Sequence, residues 1–294
     1  MIGGSNVDRV KLRWEVAVGG FGRAVAIDRA LGRVAVATGS PVKLFDLGTG
    51  KDAGSVDSCR DVVRGGIAFD KDKLLVVCEK TLQLFDGKKL ARLHAPRINP
   101  SPVTASAVAW PRIALGHHDG VIRIYDLDGG DTIEIPVPGP PIDVKSMAMA
   151  PDGSRVAVAW VQGSIWWWDT QAPGVPHKLV RHESEADAVS FNDGGTLLAE
   201  EGEPRYTTVW TFAGTPAEKT KIKNGRWVKR IWFTKDSKWL VRGGSDGLEL
   251  AQIAGPQRVA LDTSGKVEDV AMDDRRATIA AVDRAGRLTT WAAR

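Results

Sequence analysis

The 294-residue chain has a formal net charge of +4, with 43% hydrophobic and 26% charged residues. That balance excludes a disordered polyelectrolyte and allows a sizeable core. A surplus of four positive charges is too small to argue for a nucleic-acid partner.

No run approaches the roughly 18 apolar residues of a membrane-spanning helix. The start Met1-Ile2-Gly3-Gly4-Ser5-Asn6 lacks a basic-then-apolar secretory signal. The expectation is a cytoplasmic protein with no membrane association. Cys59 and Cys78 have no CxxC partner, so free thiols are expected. The 32 Gly and 15 Pro are spread along the chain, as many short strands and turns require.

Residues 10–18 (VKLRWEVAV) alternate as a single strand with no hairpin partner beside it, and Gly19-Gly20-Phe21-Gly22 ends it. A first full unit starts at Ala24, with strands at 24–27, 33–37 and 42–45, closed by Asp46-Leu47-Gly48-Thr49-Gly50. Further units start at Gly65, Thr104, Val144, Ala186, Val228 and Val267. The third is the clearest: His117-His118-Asp119-Gly120 makes a hairpin turn, and the β-branched strand VIRIY follows before Asp126.

The starts are spaced by 41, 39, 40, 42, 42 and 39 residues. A period near 40 with three strands and a variable fourth is the spacing of a propeller blade. The fourth strands are expected at 53–58, 89–93, 132–137, 178–180, 219–223 and 258–261. The seventh unit has none before Arg294, and strand 10–18 would supply it, closing the ring and removing its open edge. The fold class expected is all-β: one seven-bladed β-propeller domain of four-stranded antiparallel blades over residues 1–294. The short leader and the early stop after the last strand favour a free-standing protein or an excised domain.

The units resemble WD-repeat blades. The eponymous dipeptide stands at Trp168-Asp169, and in altered form at Phe45-Asp46, Phe85-Asp86 and Tyr125-Asp126; Trp210 and Trp291 keep only the aromatic, and Ala251-Gln252 keeps neither. Asp119 and Asp246 match the structural Asp of the second hairpin, and His94 and His182 hint at the blade-opening His. The resemblance implies a seven-bladed propeller and no particular ligand. It further implies a structural role for His94, Asp119, Asp126, Trp168, Asp169, Trp210, Asp246 and Trp291, with His94 hydrogen-bonding Asp119 between units two and three.

Catalytic motifs do not survive their context. Gly243-Gly244-Ser245-Asp246-Gly247 matches G-x-S-x-G, but it joins two strands where a nucleophile elbow needs a strand-to-helix turn. Asp126 to Asp131 lacks the Gly and terminal Glu of a calcium loop. His117 and His118 are neighbours in a strand and point to opposite sides. No catalytic residue, metal site or cofactor is expected.

The strongest charge feature is residues 219–230 (KTKIKNGRWVKR), with Lys219, Lys221 and Lys223 alternating on an outer strand. Upstream lie Glu183, Glu185, Asp187, Glu200, Glu201 and Glu203. The five glutamates should cluster on a rim of unit five, beside Arg226, Trp227 and Arg242 of unit six, with Trp160 exposed at a neighbouring turn. The reading is a monomeric, non-enzymatic scaffold that binds a protein or peptide partner through this rim and near the central channel. A metal-dependent lactonase-like hydrolase and a ligand-sensing propeller are the alternatives, the first requiring carboxylates or histidines that converge on the channel axis.

Overall fold

The computed structural model describes residues 2, 6–137, 143–202, 205–224, 227–263 and 265–293. After a 3-10 turn at Val7–Arg9, the chain forms strand β1 (Val10–Ala17). Six blades follow in order. Blade 1 holds β2 (Ala24–Asp28), β3 (Arg33–Ala37), β4 (Val42–Asp46) and β5 (Asp52–Val56). Blade 2 holds β6 (Val62–Asp70), β7 (Lys73–Cys78), β8 (Thr81–Asp86) and β9 (Arg97–Ile98). Blade 3 holds β10 (Val103–Ala109), β11 (Arg112–His117), β12 (Val121–Asp126) and β13 (Ile133–Pro136). Blade 4 holds β14 (Val144–Met149), β15 (Arg155–Trp160), β16 (Ser164–Asp169) and β17 (His177–Arg181). Blade 5 holds β18 (Ala186–Phe191), β19 (Leu197–Gly202), β20 (Tyr206–Thr211) and β21 (Ala217–Lys223). Blade 6 holds β22 (Val228–Phe233), β23 (Trp239–Gly244), β24 (Gly247–Gln252) and β25 (Arg258–Leu261).

Blade 7 is assembled from both ends of the chain. Its strands β26 (Val267–Asp273), β27 (Thr278–Asp283) and β28 (Arg287–Ala293) are joined by β1, antiparallel to β28 with Val10 opposite Ala293 and Ala17 opposite Arg287. The ring closure expected from the orphan strand is therefore present. The first strand of each blade lies innermost, and these contact one another in ring order until β26 returns to β2.

The core lies between blades. The second strand of a blade is covered on both faces by neighbours, so β3 reads RVAVA and β15 RVAVAW, with small and β-branched side chains buried. Trp168 packs with Ile122, Ile124 and Ile135 of blade 3, and Trp291 joins a cluster with Leu250 and Leu261 of blade 6. Burial of such large rings supplies much of the interblade cohesion. The closing Asp of the blade pattern holds a turn: Asp46, Asp86, Asp126 and Asp169 accept backbone N–H bonds from Thr49 (2.7 Å), Lys89 (2.7 Å), Asp128 (2.9 Å) and Gln171 (2.8 Å). The Gly243–Gly247 segment joins β23 to β24 as a strand-to-strand turn.

Three expectations are corrected. The fourth strand of blade 2 is Arg97–Ile98, not 89–93; Leu90 has φ +56°, which interrupts an extended run, and only Phe85 and Arg92 bridge there. Cys59 and Cys78 are not free thiols but a disulfide, because the loop before β6 folds back on the end of β7. His94 is exposed and makes no bond to Asp119, which instead binds Arg123 (2.9 Å) and the Val121 N–H (3.0 Å) two residues ahead.

Candidate partner-binding collar

One register fault recurs where the innermost strands begin. In blades 3 to 7, one residue has no partner on the second strand: Thr104, Lys145, Asp187, Lys229 and Glu268. Blade 2 has a larger shift between Val62 and Ile67, which includes Arg64. A bulge of this kind bends the strand and re-aims a side chain. Here it puts one side chain per blade at the same end of the channel.

Thr104, Lys145, Arg64 and Glu268 line a recess of about 610 Å³, together with Arg23 just before β2 and the second-hairpin residues Glu79, His118 and Val161. Loops leading into the innermost strand thus share a face with the second hairpins. Charges of opposite sign pair around the collar. Lys145 reaches Asp187 (3.3 Å) and Glu185 (2.8 Å), Lys229 reaches Glu268 (2.6 Å), and Arg64 reaches the other Glu268 oxygen (3.2 Å). His118 lies 2.5 Å from Asp143 at the edge of the recess. One residue deeper, Arg230 pairs with Asp269 (2.8 Å), whose other oxygen accepts the Val25 N–H (2.8 Å).

Trp227 stands at this collar with 42% of its surface exposed. Its indole N–H donates to Asp187, and the Lys145 ammonium lies 5.7 Å from its ring centroid. Burial pushes the Asp187 carboxyl above the usual range, while Lys145 and the Trp227 N–H oppose that shift. A large ring is therefore held in place from one side and open to solvent on the other.

The expected rim residues divide into four groups. Glu185 and Trp227 come together through Lys145 and Asp187, and Glu183 is exposed beside them. Lys219, Lys221 and Lys223 are exposed on the outermost strand of blade 5, so the topology keeps them away from the channel mouth. Glu203 and Arg226 lie outside the described residues.

The fourth group is a correction: Trp160, Glu200, Glu201 and Arg242 are at most 1% exposed and cannot form a contact rim. Trp160 packs against blade 3. Glu200 accepts bonds from His182 (2.7 Å) and Trp210 (3.3 Å), tying the residue before blade 5 to its third strand. Glu201 accepts bonds from Thr207 (2.7 Å) and Asn224, and Arg242 of blade 6 reaches Thr207 (3.0 Å), Asn224 and Glu249. Buried charge needs such partners, and blades 5 and 6 are joined by them. Burial raises the Glu201 carboxyl to about 8.

The residues sequence reasoning missed are the bulge residues Arg64, Lys145 and Glu268; Asp187 and Lys229 lay in the acidic and basic stretches it singled out. The signal was a charged residue at the second or third position of the innermost strands of blades 2 and 4 to 7.

At the channel's other end lies a recess of about 740 Å³, lined by innermost-strand residues that include Trp232, Met147 and Met272 with Trp110 beside them. Among the described residues, the one group of three His, Cys, Asp or Glu side chains whose ligand atoms converge is Cys59, Asp61 and Cys78, outside both recesses.

No protein-family model matches the chain, and no curated protein matches it in sequence. Solved structures do. A chain of the Mitotic Checkpoint Complex crystal structure superposes with a TM-score of 0.83 at 16% identity, over 96% of this chain and 91% of that one. The Cps50 (Swd1) β-propeller domain of Myceliophteria thermophila gives 0.78 at 13% identity, over 95% and 99%. Identities this low speak to fold alone. In fold, the chain is a seven-bladed β-propeller.

Proposed function

We propose that this chain is a non-enzymatic binding module whose protein or peptide partner docks on the collar, over blades 4 to 7, with Trp227 as its anchor. The observation that carries the reading is the fixed but open Trp227 ring beside the Lys145–Asp187 pair. Interface hot spots favour tryptophan, and a ring already held by its neighbours loses little freedom on binding. The paired charges around it give a partner both signs to read, which favours specificity more than raw affinity. The likeness to a chain of the Mitotic Checkpoint Complex, itself an assembly, agrees with a propeller used for protein contacts.

The test is affinity purification from the native cell, followed by binding measurements on each recovered partner with purified variants. Trp227→Ala is expected to weaken binding by about 2 kcal/mol or more, with far-ultraviolet circular dichroism confirming that the variant is folded. Charge reversal of Lys219, Lys221 and Lys223 is expected to leave binding intact. The opposite pattern moves the contact to the outer edge of blade 5 and sinks the collar.

A second reading rests on the 740 Å³ recess, a size that suits a small ligand, with the 42%-exposed Trp232 in its wall. Quenching of tryptophan fluorescence by a small-molecule panel, lost in Trp232→Phe, would support a ligand-sensing role instead.

A further inference from the structure

Cys59 and Asp61 lie in the loop before β6, and Cys78 ends β7. The two sulfurs and a carboxylate oxygen of Asp61 all lie within 4.8 Å of one another. Cys78 is buried, while Cys59 and Asp61 are half-buried. No described residue gives the Asp61 carboxylate a hydrogen bond or an ion pair. An unmatched, half-buried carboxylate beside two sulfurs adds nothing to a disulfide. It suits a cation held by thiolates.

We propose that Cys59, Cys78 and Asp61 form a redox-gated site for a thiophilic divalent cation, of which zinc is the prime example. Two thiolates and one carboxylate are a sound donor set for such an ion, and the half-exposed side leaves a fourth position to water. The bond opens when a dithiol reductant gives up two electrons and two protons and leaves as its own disulfide; the chain then carries two thiols. One divalent cation binds with release of both thiol protons to solvent.

Asp61 and Cys78 stay together without the disulfide, and Cys59 lies two residues before Asp61. Val62 pairs with Cys78 in the sheet, and the Glu79 N–H donates to the Asp61 carbonyl at 3.1 Å. The site has an outer partner as well. Buried Gln83 directs its amide N–H toward the Cys78 sulfur at 3.7 Å, and its carbonyl accepts from Arg92 at 3.3 Å. Donors placed behind a ligand atom in this way orient it and offset its charge. In a reducing cytoplasm the cation would tie the loop to β7, and in an oxidising compartment the disulfide does so.

The full chain, reduced with a phosphine under nitrogen and then freed of reductant, is titrated with cobalt(II) chloride. The expected result is one equivalent bound, with a thiolate-to-cobalt charge-transfer band that zinc bleaches. The oxidised chain should show no band. Cys59→Ser should lose it, and Asp61→Asn should weaken cobalt binding at least about tenfold. Asp61→Asn keeps both cysteines, so its oxidised far-ultraviolet circular dichroism controls for folding. A reduced wild-type chain without the band, a band that survives Cys59→Ser, or unchanged affinity in folded Asp61→Asn overturns the site.

Discussion

The Lys229 ammonium lies 2.6 Å from a carboxylate oxygen of Glu268, and each is the unpartnered residue of a bulge in its own blade. Glu268 is 1% exposed at its side chain, whereas Lys229 and Arg64, which share it, are 21% and 32% exposed. The carboxylate is thus the buried hub and the two cations are its partly wetted partners. Glu268→Gln keeps the shape and removes the charge. It should lower stability in urea unfolding by about 1–3 kcal/mol, because two cations lose their counter-ion in a half-dry site. A loss below about 0.5 kcal/mol would show that water already satisfies both cations.

The Glu201 carboxyl gives a pH dependence of defined sign. Burial raises it from 4.5 to about 8 in the folded chain. Between those values the folded state holds the proton more often than the unfolded state, so stability falls as pH rises from about 4.5 to about 8. The slope from this group reaches about 1.4 kcal/mol per pH unit at most. Glu201→Gln retains an acceptor for Thr207 and Asn224 and should flatten the fall. Denaturation series at several pH values, wild type against variant, measure the difference; parallel curves would show that Glu201 does not titrate in this window.

Reduction of the disulfide should be felt by the fold itself. Cys59 and Cys78 are separated by 19 residues, and opening a loop of that size costs about 3 kcal/mol in the chain-entropy picture. The melting temperature should drop on adding a phosphine reductant and should not move in Cys59→Ser. Zinc added to the reduced wild type should recover part of the drop.

Removing residues 1–18 takes away the partner of β28 and the apolar contacts of Ile2, Val7 and Val10 with blade 7. The exposed edge should then pair with other chains. Size-exclusion chromatography is expected to show species larger than the full chain gives, and a synthetic peptide of residues 7–18 should restore the elution of the full chain. A truncated chain that elutes like the full chain with an unchanged melting temperature would sink this account of ring closure.

The blade frame was legible because alternation and turn residues repeat at a fixed period. Blades 4 to 7 begin at Val144, Ala186, Val228 and Val267, where the pattern placed them. The collar was legible only in part: Glu185 and Trp227 belonged to the expected rim, but parity hid the rest. One extra residue at a strand start breaks the period of two, so alternation gives the wrong face for Lys145 and Glu268. Glu200 and Glu201 read as a solvated acidic run, because their partners His182, Trp210, Thr207, Asn224 and Arg242 come from other segments. Trp160 beside a turn reads as exposed, yet blade 3 covers it. The disulfide joins the loop before β6 to the end of β7, and their approach depends on the register of β6 against β7, which spacing does not reveal.

The pairing of Val10 with Ala293 sets an order on biosynthesis. The ribosome makes β1 first among the strands and its partner β28 last. Blades 1 to 6 can form as they emerge, each leaning on the one before. During that interval β1 has no sheet to join, and the growing array presents an open side at each end. The protein becomes a closed ring in one late step, and a nascent chain stalled inside blade 7 is the species most in need of a chaperone.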